Sequence, residues 1–322
     1  MENKPLVSVM IPVYNRIDII DDTISSVLSQ TYENIEIIIR DNCSSDGTFE
    51  YLLEKYGKDE RFKIEQNSEN LGPVGNWKTC LDSCNGKYTK ILWSDDKISS
   101  NFISEFVDIL ENNQKIAFCI SNIDLFSDSG LRHAVLFKKQ QLISKNKYYK
   151  KLFVDRKMPV SPGCALFRTS DLFIDEQIEN SFGINHYRTG AGIDSRFFLN
   201  TLLKKNYSFV CLSPACCSFF RDHKGSITVQ NKLIRREYYV SDLDFIFKKK
   251  INKKYALKMF PGIIRFEKKY DKQSIKTIVK KYNAEFNYFD IIVIKWYYFF
   301  FLLKSFIRVI CKRIKRIFKK EK

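Results

Sequence analysis

Apolar positions over the first hundred residues alternate between two spacings. Val7 to Val13 is a β-branched run, Glu36 to Arg40 repeats the strand signal and Phe62 to Glu65 is a third short strand, whereas Asp18 to Gln30, Gly47 to Tyr56 and Val74 to Cys84 carry apolar residues at helical intervals, for example Ile20, Ile24, Val27 and Leu28. A fourth strand-like run, Tyr88 to Trp93, ends directly at Asp95 and Asp96. Strands alternating with helices predict an α/β fold with a doubly wound, mainly parallel sheet flanked by helices.

After Asn101 the alternation loosens. A helix is expected over Phe102 to Asn112 and a strand over Ile116 to Ile120, followed by a polar region rich in Lys and Tyr. Apolar segments return at Ala165 to Phe167, at Phe197 to Leu203 (helix) and at Phe209 to Leu212 (strand). Beyond Asn231 the pattern predicts three helices separated by Lys-rich turns, the last from about Asp290 to Phe318. The expected organisation is a domain over residues 1–230 and a basic helical extension over 231–322.

Charge sharpens that division. The chain of 322 residues carries a formal net charge of +17; residues 1–230 hold 28 Lys and Arg against 29 Asp and Glu, and residues 231–322 hold 26 against 8. A nearly neutral first part argues against a nucleic-acid partner, which would need basic groups interleaved with aromatics on that folded part. A basic tail suits attachment to an anionic surface. In that tail Lys295, Lys304 and Arg308 interrupt the apolar run, so Trp296 to Leu303 is its longest wholly apolar piece. A spanning helix needs about 20 predominantly apolar residues, so a helix lying in the membrane interface is expected; the alternative is an aromatic face packed on the rest of the chain. Nine cysteines without a C-x-x-C pair, and no apolar h-region after Met1, predict a cytoplasmic protein on the inner face of the membrane and no secretory leader.

The candidate chemistry sits at strand ends. Asp95 and Asp96 follow the fourth strand, where adjacent like charges invite a shared cation, and ligands in open α/β sheets bind beyond the carboxyl ends of strands. A hard divalent ion held by one or two carboxylates and by substrate phosphates suits that position. Pro12, Tyr14 and Asn15 end the first strand. Asp41 ends the second, where a carboxylate can accept the N–H of a pyrimidine base, while Ser45 or Asp46 can cap the helix after it. Asp194 follows the Gly190-Ala191-Gly192 turn and is equally a helix-capping candidate. His223, one of three histidines, is a candidate metal ligand; His186, beside Tyr187 and Arg188, could touch an acceptor. Neither dinucleotide nor P-loop glycine spacing is present.

Taken together, VSVMIPVYN, EIIIRDNCSSDGT and NLGPVGNWKTCLDSCNGKYTKILWSDD resemble the nucleotide-binding half of family 2 glycosyltransferases of the GT-A fold over about the first 100 residues. The resemblance implies an inverting enzyme that moves a sugar from a nucleotide-diphosphate sugar to a saccharide or lipid-linked acceptor in bacterial surface polysaccharide synthesis, with Mg²⁺ or Mn²⁺. It implies that Asp41 contacts the base and that Pro12 and Tyr14 line the nucleoside pocket. Asn15, Asn70, Asn76, Asp96 and Arg221 complete the implied donor site, with Asp95 and His223 as metal ligands and Asp194 as the general base. One departure is visible: the fuller acidic pattern is D-x-D-D, and Trp93 stands at its first Asp. A noncatalytic nucleotide-sugar-binding or membrane scaffold protein with the same fold is the alternative.

Overall fold

The computed structural model describes residues 4–174, 190–204, 206–222, 234–270, 274–282 and 286–318. Of these, residues up to Tyr148, 157–174 and 190 to Ile234 form one compact unit, and 149–156 with residues from Arg235 form a second.

The first unit is built on β1 (Val7–Val13), β2 (Ile35–Asp41), β3 (Phe62–Gln66) and β4 (Tyr88–Ile91), joined through α1 (Ile20–Leu28), α2 (Thr48–Tyr56) and α3 (Gly72–Asp82). Further along lie β5 (Lys97–Ile98), α4 (Phe102–Asn112), β6 (Ile116–Ser127), β7 (Gly130–Val135), β8 (Gln141–Ser144), β9 (Ala165–Arg168), α6 (Ile193–Leu203) and β10 (Phe209–Arg221). Among the described residues these strands make one ten-stranded sheet in the order β3-β2-β1-β4-β9-β6-β10-β5, with β7 on β6 and β8 on β10. The four leading strands are parallel, and β9 runs antiparallel to both β4 and β6.

All seven residues of β1 are buried, as expected of a central parallel strand covered on both faces. Val7, Val9, Ile11, Ile37, Ile39 and Leu92 share one core with Ile20 and Ile24 of α1. Truncating such a side chain to Ala costs about 2–5 kcal/mol. Pro12 is tolerated because the β1–β4 ladder ends at Met10 and Ile91, so no partner on that side lacks its N–H.

Several boundaries differ from expectation. β6 runs on to Ser127 and β10 to Arg221, where buried polar residues such as Ser121, Ser213 and Ser218 interrupt the apolar pattern, and α6 begins at Ile193, four residues early. The hairpin strand β7 is exposed throughout most of its length, so no apolar pattern announces it.

The second unit contains α5 (Lys145–Tyr149) only at its last residue, a π-turn (Lys150–Val154), and the helices α7 (Ile234–Lys248), α8 (Lys253–Tyr270), α9 (Ile275–Tyr282) and α10 (Tyr288–Phe318). Four helices, not the expected three, therefore follow residue 231 among the described residues: Ile251 and Asn252 break the first apolar stretch in two. Val240, Leu243, Phe260, Ile264, Ile278 and Val279 are its core. Glu267 inside it accepts from Arg236 Nε at 2.7 Å and Lys281 Nζ at 3.0 Å.

Candidate active site

The carboxyl ends of β1, β2 and β4 lie side by side, and the loops leaving them are stitched together. Asn15 adopts φ +51°, donates its N–H to Ser44 Oγ at 2.8 Å and accepts from Ser45 N–H at 3.0 Å. Asp41 is fully buried: Oδ1 accepts from Ser44 N–H at 2.8 Å and Gln66 Nε2 at 3.0 Å, and Oδ2 from Ser44 Oγ at 2.6 Å. Asp41 therefore organises the 43–45 turn, and the exposed group beside it is Tyr14. Asp46 accepts from Thr48 N–H at 3.0 Å at the start of α2, the capping role open to it in the sequence.

Asn70 and Asn76 belong to a chain of amides. Asn42 Nδ2 donates to Asn70 Oδ1 at 2.8 Å; Asn67 Nδ2 donates to Asn42 Oδ1 at 3.1 Å and to Asn76 Oδ1 at 2.9 Å; Asn76 Nδ2 reaches Arg40 O at 3.1 Å. These amides fasten the end of β2 to the start of α3. Buried amides are costly unless so paired.

Beyond β4 the chain turns through Trp93 to Asp96, whose N–H donates to Trp93 O at 3.0 Å. Asp95 keeps a fifth of its side chain exposed, with Arg16 Nη2 3.9 Å from Oδ2. Asp96 is buried, and its Oδ1 accepts the Arg221 N–H at 3.0 Å. Burial pushes the Asp96 carboxyl well above the usual carboxylate range, and the negative charge of Asp95 adds to the push. Beneath it on β4, Lys90 is fully buried, donates to Gly163 O and sits 4.4 Å from the centre of the Phe102 ring. Burial pulls its ammonium down to about 8.

Arg221 ties these parts together. Its Nε donates to Asp95 O at 3.2 Å, its Nη2 to Asp22 Oδ2 at 2.5 Å, and its guanidinium lies 4.6 Å from the centre of the Phe126 ring. The bond from Arg221 holds the Asp22 carboxyl below its ordinary range.

A wall of aromatic surface connects the acidic turn to the start of α6. Trp93 donates Nε1–H to Ser161 Oγ at 2.9 Å and packs on Trp77, ring centroids 4.8 Å apart. Gly190 lies so close to the far edge of Trp77 that a Cβ there would come within 2.2 Å of it. From this turn, through Gly192 at φ +84°, the chain enters α6 with Asp194 as its second residue. Asp194 Oδ1 accepts from Gly192 N–H at 3.1 Å and Ser195 N–H at 2.7 Å.

The structure thus brings Pro12, Tyr14, Asn15, Asp41, Asp95, Asp96 and Arg221 to neighbouring strand ends, and couples the Asp194 turn to them through Trp77. Asn70 and Asn76 serve the amide chain. His223, like His186, lies outside the described residues. Among the described residues no three His, Cys, Asp or Glu side chains are grouped to hold a metal by themselves. Two adjacent carboxylates, one of them held away from ionisation by burial and by the other, do fit a hard cation that completes its shell with phosphate and water oxygens. Arg16, Asp22, Trp77 and Lys90 were not anticipated: Asp22 reads as a solvated helix acid, and Lys90 hides within a strand pattern.

Comparison with known proteins places this geometry. Residues 8–173 match the sequence profile described as glycosyl transferase family 2. The putative teichuronic acid biosynthesis glycosyltransferase TuaG of Bacillus subtilis is 37% identical over 128 residues, 39% of this chain and 50% of that protein. The beta-1,3-glucosyltransferase WfaP of Escherichia coli, which acts on UDP-Glc and alpha-D-GlcNAc-diphosphoundecaprenol, is 38% identical over 123 residues, 38% of this chain and 48% of that protein. The chain spans about half the length of these curated relatives. The S. aureus TarS 1–349 structure in complex with UDP-GlcNAc superposes with a TM-score of 0.58 at 14% identity, covering 92% of each chain. That likeness shows the fold, and the GT-A class expected from the sequence is borne out.

Proposed function

The chain belongs to glycosyl transferase family 2, and from that premise we propose that it transfers a sugar from a nucleotide-diphosphate sugar to a saccharide or lipid-linked acceptor in the synthesis of a bacterial surface polysaccharide. The observation that carries the reading is the Asp95–Asp96 pair at the end of β4, with Arg221 bonded to the carboxylate of one and the carbonyl of the other.

The proposed reaction is a single displacement with inversion. The acceptor hydroxyl oxygen forms a bond to the anomeric carbon, the bond from that carbon to the diphosphate oxygen breaks, and the hydroxyl proton passes to Asp194. A general base of this kind contributes about 10²–10⁴-fold. Asp95, with Asp96 behind it and His223 as a further ligand, would hold Mg²⁺ or Mn²⁺. When bound, such an ion offsets the charge developing on the departing diphosphate. Pro12, Tyr14 and Asn15 would meet the nucleoside, with Asp41 supporting their loop or contacting the base. Catalysis is assigned to residues 1–230, and the extension 231–322 to attachment on the inner face of the cell membrane.

The test is donor turnover by the purified chain with a membrane-derived acceptor. Asp194→Asn is expected to lose about 10²–10⁴-fold in transfer while keeping donor-induced thermal stabilisation, since Asn can still accept from Gly192 and Ser195. Full transfer by that variant would remove Asp194 from the base role, and undiminished turnover in excess chelator would remove the metal.

A further inference from the structure

We infer that the outward face of α10 rests on an anionic lipid bilayer, and that the docking body is the packed pair of α8 and α10. The inference rests on the reading of the extension as a membrane attachment and adds which face makes the contact.

The helix α10 has two apolar faces. On one, Ile291 and Ile294 are buried, and cations of α8 lie over the next rings: Lys258 over Tyr297 at 6.0 Å, Lys268 over Tyr298 at 5.7 Å and Arg265 over Phe301 at 5.7 Å. Lys253 Nζ adds a bond of 2.7 Å to Asp290 Oδ2. On the opposite face Phe289, Trp296, Phe299, Leu303 and Phe306 recur at steps of three, four and seven residues, the spacing of one helical stripe. All five are exposed, Phe289 by 70% and Trp296 by 61%. The stripe runs about 25 Å along the helix at 1.5 Å per residue.

Charge selects what covers it. From Ile291 to Lys320 the chain carries nine Lys and Arg and no acid. A second copy seated on this stripe would set cation against cation, without the complementary flanking charges that helix pairs use. Anionic headgroups supply the missing sign. No helix among the described residues is long and apolar enough to cross a membrane, so the helix lies in the interface plane with its stripe toward the acyl chains.

The test is flotation of the full chain with vesicles of phosphatidylcholine alone and of phosphatidylcholine mixed with phosphatidylglycerol. Co-flotation with the anionic vesicles only is expected, and a Trp296→Ser/Phe299→Ser/Phe306→Ser variant with unchanged helical circular dichroism is expected to lose about tenfold or more in vesicle affinity. If that variant loses helicity, Trp296→Ser alone is used, with a severalfold loss expected. Equal binding to both vesicles, binding to neither, or retention of anionic binding by the variant overturns the inference. So does a dimer in sedimentation equilibrium that the variant dissociates. Donor turnover with a soluble acceptor is read in parallel: its absence would defeat the transferase reading and leave the vesicle result standing, and the reverse holds equally.

Discussion

The indole of Trp93 packs on that of Trp77 with planes tilted by 39°, and Trp77 in turn has its far edge against Gly190. An aromatic ring thus occupies the position of the first carboxylate of the fuller acidic pattern. It serves as a spacer that sets the α6 turn relative to the acidic turn.

Gly190→Ala tests the spacer. The new Cβ would lie 2.2 Å from Trp77, and Gly190 holds φ +71°, where an L side chain is strained. A loss of about 1–3 kcal/mol is expected from overpacking and strain, measured by denaturant unfolding, with a parallel fall in transfer. A neutral result would mean that the turn is not seated on the indole.

Asp96→Asn separates charge from shape. Because the folded-state carboxyl titrates well above its ordinary value, its proton contributes stability that is present below the unfolded pKa of about 3.9 and is lost as pH rises through the folded pKa. Stability of the metal-free chain should therefore fall with pH above about 4, and the Asn variant should flatten that slope and unfold at a higher temperature at neutral pH. Its Oδ1 can still accept the Arg221 N–H. Transfer should nevertheless be lost, which thermal scans across pH and a turnover assay check together.

Lys90→Met addresses the buried ammonium. A lysine lowered to about 8 from 10.5 leaves the fold short of stability below pH 8, and recovers it as pH rises toward 10.5, at about 1.4 kcal/mol per unit. The Met variant should be more stable at pH 7, by up to about 3 kcal/mol. The Gly163 carbonyl keeps a partner in Ser218 Oγ at 3.2 Å. Lower stability across the whole pH range would show that the ammonium is a net support.

Arg221→Lys keeps the charge and the backbone bond to Asp96 but cannot span Asp95 O and Asp22 together. The divalent-ion concentration for half-maximal transfer should rise, by about tenfold for a loss near 1.4 kcal/mol. The Asp22 carboxyl should return toward its ordinary range, observable by NMR titration. An unchanged ion requirement would make the Arg221–Asp22 link a surface ornament of α1.

How much of this was legible follows from which forces leave a periodic trace. Strands β1 and β4 are buried at every position and β2 at five of seven, and so they appear as apolar runs; β3, at the sheet edge, is marked only by its alternating Phe62 and Ile64; α1 and α4 appear through their buried stripes. The exposed strand β7 has no such trace, and the split of α7 from α8 rests on a two-residue break at Ile251 and Asn252. At the site, Asp95 and Asp96 were readable because charged residues at strand ends stand out, and Arg221 through the resemblance alone, since β10 was expected to end at Leu212. Their partners were not: Asp22 lies 199 positions from Arg221, and the Trp77–Gly190 seat joins segments with no shared pattern. Asn70 and Asn76 were placed with the donor on resemblance, and their amides hold the neighbouring loops to one another.

The chain has three tryptophans. Two stand 4.8 Å apart in the wall beside the acidic turn, close enough for their excited states to couple, and the third is exposed on α10. Near-ultraviolet circular dichroism should therefore be dominated by the Trp77–Trp93 pair, and quenching of the emission by a soluble quencher by Trp296. The protein is wired with two optical channels, one reading the wall beside the acidic turn and the other the outer face of the C-terminal helix, without any label.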